Sequence, residues 1–220
     1  MSCTGTNTDA YTVPDTPTPI NEVTVTIEEG ASFNVDGPHA VSVNDLGGIV
    51  NLGTIDVGTD AGAGLLTGTG NESRIENFGD INVSGVGATG IVLGANTEFG
   101  IREGAPTTGT INLSADGAIG ISGTESNVAY QWGSLTSTAN QTTGIQLPNT
   151  IQGQGGSASN RGNMVFSSAD STGISVGDYS GAGNSSTGSM TFEGDNNVGV
   201  NVGNSSFALN DGSIVMQGDG

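Results

Sequence analysis

The sequence predicts an all-β chain wound as a right-handed parallel β-helix of about eight coils, each of roughly 22–30 residues. Three observations carry that prediction. Gly, a small polar residue and an aliphatic residue recur at Gly53-Thr54-Ile55, Gly79-Asp80-Ile81, Gly109-Thr110-Ile111, Gly133-Ser134-Leu135, Gly162-Asn163-Met164, Gly188-Ser189-Met190 and Gly212-Ser213-Ile214. The aliphatic anchors advance by a variable 24 to 30 residues, yet a second Gly stands nine residues after the first six of them, at Gly64, Gly90, Gly120, Gly144, Gly173 and Gly199. Two residues after each anchor comes Val57, Val83, Leu113, Ser137, Phe166, Phe192 or Met216, on the same face of a short strand. A constant inner spacing with a variable outer one describes a single stacked unit whose loops change length.

The remaining elements follow by period. After the second Gly, Leu65, Ile91 with Leu93, Ile121, Ile145 with Leu147, Ile174 with Val176, and Val200 with Val202 mark a second strand. A third segment six residues before the anchor runs through Ile49, Ile75, Ala105, Ala129, Ala158, Asn184 and Ala208. Three segments per repeat make a coil that closes on itself. Gly, at 39 of 220 residues, is expected to supply positive φ at the bends. Asn-x-Gly before the anchor, beginning at Asn51, Asn77, Asn160 and Asn210, is expected to turn the chain and to ladder between coils. Gly plus Pro (39 + 6) is 45 of 220 residues, below the roughly 25–30% of a low-complexity linker. A linker also has no reason to hold aliphatic pairs in phase.

Along the chain, residues 1–19 are rich in Thr, Asp and Pro and read as a disordered lead-in. Residues 20–43 read as an atypical capping coil, with Val23, Val25 and Ile27 alternating ahead of Phe33, Val35, Val41 and Val43. Residues 44–220 hold the repeats. Met1 reads as a start added to a mature domain. The stop just after Ile214 and Met216 reads as the cut end of a longer solenoid that frays or self-associates there.

Charge excludes several classes of function. Twenty-two acidic residues against Arg74, Arg102 and Arg161 give a formal net charge of −19, which repels phosphate backbones and anionic membranes. Nucleic acid is therefore not an expected partner. No apolar run is long enough to cross a bilayer. Cys3 is the one cysteine and reads as a free thiol in the lead-in, so no internal disulfide forms.

Asn77-Phe78-Gly79-Asp80-Ile81 leading to Ala88-Thr89-Gly90-Ile91 resembles the passenger domains of Gram-negative autotransporters (type V secretion), the large fusobacterial adhesins among them. The resemblance covers about residues 44–220. It implies a C-terminal β-barrel in the full-length protein, display on the bacterial surface, and adhesion to a protein or glycan receptor on host cells or other bacteria. No catalysis and no cofactor are expected of the chain.

The competing reading is a β-helical polysaccharide-active enzyme or a phage receptor-binding fibre. Five residues past the anchor lies a turn position held by Asp60, Val86, Asp116, Asn140, Ala169, Asp195 and Asp219. Asp195 and Asp219, one coil apart, would stand roughly 5 Å apart, near the separation of a retaining glycosidase pair. They lie at a turn beside Gly194 and Gly218, however, where no cleft is expected. The same acidic ridge lacks the Gly-Gly-x-Gly-x-Asp repeat of calcium-binding β-rolls, and His39 has no second His or Cys in phase, so no metal site is expected. The candidate ligand contacts are Phe78, Tyr130 and Trp132. Phe78 and Trp132 both occupy the position before the anchor Gly, two coils apart, and would stack a sugar or anchor a protein. The plainer alternative is that these rings fold over neighbouring turns as packing.

Overall fold

The computed structural model describes residues 1–13, 23–34, 37–43, 47–68, 73–100, 108–124, 126–149 and 151–219. Among them every regular element is a strand, and the strands form three parallel sheets of nine, nine and eight. Each coil gives one strand to each sheet, except the last, which reaches only the first two. Arg74–Asn77 lies in the first, Asp80–Val83 in the second and Thr89–Leu93 in the third, after which Glu98–Phe99 returns to pair with Arg74 and Ile75. The chain is thus a three-sided parallel β-solenoid, as the repeat predicts.

The register keeps like residues above one another. In the second sheet Phe33, Ile55, Ile81, Ile111, Leu135, Met164, Met190 and Ile214 form one inward column. All are buried except Ile214, which is partly covered. Val57, Val83, Leu113, Ser137, Phe166, Phe192 and Met216 stack beside them. Val41, Leu65, Ile91, Ile121, Ile145, Ile174 and Val200 close the core from the third sheet. Each column removes apolar surface from water at about 25 cal/mol per Å², and no residue in the middle of a column has a solvent-facing neighbour above or below.

In the first sheet the column is Val25, Ile49, Ile75, Phe99, Ala129, Ala158, Ala182 and Ala208. The spacing-based expectation is corrected at two coils. Ala105 lies outside the described residues and Phe99 takes the column position; Ala182 takes the position expected for Asn184. The cause is loop length. Ile75 stands six residues before Ile81, whereas Phe99 stands twelve before Ile111 and Ala182 eight before Met190. A fixed offset cannot follow an inserted loop.

The first thirteen residues differ from the lead-in expected of them. Ser2–Cys3, Thr6–Asn7 and Tyr11–Thr12 add one short strand to each sheet, pairing Ser2 with Thr26, Thr6 with Ser32 and Tyr11 with Val41. Cys3, Tyr11 and Val13 pack against the core. Strands two residues long are too short to show an alternation, which is why they escape the period. The coil of residues 20–43 is the second, with Phe33 in the anchor column; residues 14–22 and 35–36 lie outside the described set.

The repeated glycines serve a purpose other than the one expected. Those nine residues after the anchors point inward with negative φ and lie against the next coil. A Cβ on Gly144 would stand 2.5 Å from the Gly173 oxygen, and one on Gly173 2.6 Å from the Gly199 oxygen. Close approach of backbone to backbone excludes any side chain. Positive φ at the bends falls largely to other residues, among them Ala61, Gln141, Asp170 and Asn196 at one corner and Asn96, Ser126, Tyr179 and Ser205 at another.

Candidate functional site

The corners consume most of the polar side chains that sequence alone would offer to a ligand. Where the first sheet turns into the second, Asn51 donates from Nδ2 to Asn77 Oδ1 at 2.8 Å and accepts the Gly53 N–H at 3.1 Å. Further along the same corner Asn160 donates to Asn184 and Asn184 to Asn210, each at 2.9 Å. This is the expected ladder, with Asn184 as a member. A second ladder runs along the outside of the second sheet. Asn82 donates to Asp56 at 2.8 Å, Asn112 to Asn82 at 2.8 Å, and Thr136 donates its hydroxyl to Asn112 at 2.7 Å.

The acidic turn column is built the same way. Asp60 Oδ1 accepts the Val86 N–H at 3.0 Å, Asp116 Oδ1 the Asn140 N–H at 3.0 Å, and Asp195 Oδ1 the Asp219 N–H at 2.8 Å. Asn140 does the same for Ala169 at 3.2 Å, and at the next corner Asp178 accepts the Asn204 N–H at 2.6 Å. A left-handed residue after each turn position leaves the N–H of the coil above without a strand partner. The carboxylate supplies one. Among the described residues no three of His, Cys, Asp and Glu gather as a metal-holding group. His39 instead shares a 2.8 Å hydrogen bond with the Thr12 hydroxyl.

The aromatic candidates separate into two places. Tyr130 projects from the outer side of Val128–Gln131 in the first sheet, and Trp132 stands two residues later at the corner. The indole N–H of Trp132 donates to the Gly100 carbonyl at 2.9 Å, so the ring folds back over the preceding coil. Phe78 lies on the same corner two coils earlier, half-buried, and shares no ring contact with Trp132 among the described residues. Tyr130 and Trp132 therefore belong together and Phe78 stands apart.

The structure adds a residue to that pair. Arg161 sits one coil beyond Trp132 at the same corner, its N–H bonded to the Gln131 carbonyl at 2.7 Å. Its guanidinium carbon lies 3.9 Å from the Tyr130 ring centroid and 4.9 Å from that of Trp132. At such distances the ring quadrupoles attract the cation, by about 0.5–2 kcal/mol per contact depending on solvation. Arg161 Nε is buried without a hydrogen-bond partner, and the one ion pair among the described residues joins Arg74 to Glu76 at 3.5 Å. The sequence held a signal for Arg161. It is one of three cations in the chain and falls in phase with Trp132, yet nothing in the repeat tells which way its side chain leans.

Cys3, expected as a free thiol in a loose lead-in, is half-buried in a strand. Burial pushes its thiol pKa up, and the N-terminal amine opposes that shift. No protein-family model, no curated protein and no solved structure matches the chain.

Proposed function

We propose that this chain is a segment of a secreted bacterial surface adhesin of the autotransporter passenger kind. In this reading it is a non-catalytic solenoid that stands out from the cell and meets a protein or glycan receptor on host cells or other bacteria. The observation that carries the reading is the use made of the turn carboxylates. Asp60, Asp116, Asp178 and Asp195 each accept a backbone N–H from the following coil. A glycosidase pair flanks its substrate from two sides, with one carboxyl placed to give a proton. Asp195 and Asp219 are instead stacked in one column and joined through the Asp219 backbone, an arrangement unlike a pair that flanks its substrate.

The rest of the architecture supports a display role. Every interior coil is hydrogen-bonded to the coil on each side, which makes a stiff rod whose outward residues vary while its inward residues repeat. A net charge of −19 keeps such rods apart in solution. The direct test is attachment. Beads coated with the purified chain are offered to epithelial cells, to bacteria and to glycan and protein arrays. Saturable binding that persists in Asp195→Asn is the expected result. Turnover of an acidic polysaccharide that disappears in Asp195→Asn or Asp219→Asn, with or without Ca²⁺, would overturn it.

A further inference from the structure

The outer face of the first sheet changes character along its length. Two consecutive coils present only Ser157 and Ser159, then Gly181 and Gly183; the coil before presents Tyr130 and the coil after presents Phe207 and Leu209. Two coils of small residues between larger ones leave a trough. Strands spaced about 4.8 Å apart put Tyr130 and Leu209, three steps apart, at roughly 14 Å. The Phe207 ring overhangs Gly181, where an added Cβ would stand 2.6 Å from Cζ, while at Gly183 the nearest atom to such a Cβ is Ser159 Oγ at 3.6 Å. The trough is therefore roofed on one side and open over Gly183 and Ser159.

The chemistry of the trough is that of side chains alone. Its floor strands, Ser157–Asn160 and Gly181–Asn184, are paired on both sides, so an extended peptide finds no backbone to pair with. Among the described residues the hydroxyls of Ser157 and Ser159 make no side-chain hydrogen bond. Arg161, two residues after Ser159, is held on the Tyr130 and Trp132 rings and has no carboxylate partner among the described residues. Its Nε is a buried donor without an acceptor. A ligand therefore meets the terminal Nη edge, which makes no hydrogen bond among the described residues, and a guanidinium held in a fixed plane suits a planar anion that takes two parallel hydrogen bonds there. The net charge of −19 opposes polyanions, so a single acidic group on a neutral body fits best.

We propose that this trough binds a sugar bearing a carboxylate. The Arg161 guanidinium, oriented by Tyr130 and Trp132, pairs with the carboxylate; Ser157 and Ser159 hydrogen-bond the sugar hydroxyls, and Phe207 covers an apolar face. The proposal rests on the adhesin reading and names the receptor class for it.

Trp132 is the single tryptophan, so its fluorescence reports on the site without a label. The full chain is titrated with the methyl glycoside of N-acetylneuraminic acid, with methyl glucuronide, with methyl glucoside and with a capped triglutamate peptide. A saturable emission change is expected with at least one acidic sugar and with neither control. Arg161→Ala should weaken it at least tenfold, Arg161→Lys less. Ser159→Leu, which fills the floor while leaving the rings alone, should abolish both the emission change and saturation-transfer signals from the sugar protons, with an unaltered thermal transition. Equal responses to methyl glucoside or the peptide, an unchanged titration in Arg161→Ala, or silence with both acidic sugars would overturn the proposal. Cell attachment that survives in Arg161→Ala after the sugar response is lost would also overturn this trough as the receptor site, while the adhesin reading would stand.

Discussion

The early and late coils fill one cross-section in opposite ways. Early on, the first sheet sends in Val25, Ile49, Ile75 and Phe99, and the column beside the anchors in the second sheet is modest, Val57, Val83 and Leu113. Later the first sheet sends in Ala158 and Ala182, and the second swells to Met164 with Phe166 and Met190 with Phe192. The two rings stack with centroids 4.9 Å apart and planes 7° from parallel. Three sheets in fixed register set the volume of each coil, and a close-packed interior tolerates neither void nor excess. The size of one inward residue is thus meaningful only beside the others of its coil. The coil between the two regimes is small on both sides, at Ala129 and Ser137. It holds hydroxyls instead, with Ser137 and Thr142 2.7 Å apart and Thr142 and Ser171 3.0 Å apart.

Breaking the anchor column just ahead of that coil should have the largest effect. Ile111 is buried between Ile81 and Leu135, and Ile111→Asp would place a carboxylate there without a partner. The expected cost exceeds about 4 kcal/mol, and because solenoid coils depend on their neighbours, urea unfolding should lose its single cooperative transition. A wild-type-like midpoint would refute the stacked column. Phe192→Ala, which removes half of the stacked pair, should cost about 3–5 kcal/mol by the same measurement. The compensation itself is tested by a cycle. Ala158→Ile overfills its coil and Phe166→Val empties it. The double variant, which approaches the Ile75 and Val83 coil in composition, should be more stable than the summed single costs by about 1 kcal/mol. Simple additivity would mean that the two sheets are packed independently.

Much of this was legible in the sequence because a solenoid repeats its chemistry at every coil. The anchors at Ile55 to Ile214, the inward glycines and the Asn corner all follow from spacing alone. What escaped lies where period fails. The Phe99 coil is hidden by its longer loop, the first coil by strands of two residues, and the true reason for Gly144 by the fact that close backbone approach leaves no mark distinct from a positive-φ turn. At the candidate site, Tyr130 and Trp132 were visible as rare aromatics. Their association with Arg161 was not, because the lean of a long side chain across coils is set in three dimensions.

The two asparagine ladders sharpen the comparison between inside and outside. Asn184 is buried, accepts from Asn160, and donates to Asn210 at 2.9 Å and to the Ser213 carbonyl at 3.1 Å. Asn184→Ala strips acceptors and donors from a dry corner and should cost about 1–3 kcal/mol. Asn112 makes the equivalent side-chain bonds half in water, so Asn112→Ala should cost about 1 kcal/mol or less. Denaturant midpoints for the two variants measure the difference directly. Equal losses would show that burial adds nothing to a ladder.

The smallest effect expected is at Cys3, and it separates the first coil from those that follow. Its strand is two residues long where most later ones have four or five, yet its side chain still packs against the core. Burial raises the thiol pKa, the leading cause, against a weaker downward pull from the N-terminal amine. The fold therefore favours the neutral thiol. The stability linked to it is present below the ordinary thiol pKa and is lost as the pH climbs through the raised value. Alkylation by iodoacetamide at mildly alkaline pH should then run slower in the native chain than in urea, since only the thiolate attacks. The native rate should climb with pH over a higher range than the unfolded one. A short coil also opens locally before the rest of the solenoid, so mild urea should release Cys3 ahead of the global transition. Native and unfolded rates that coincide at every pH would return residues 1–13 to the loose lead-in that their composition suggests.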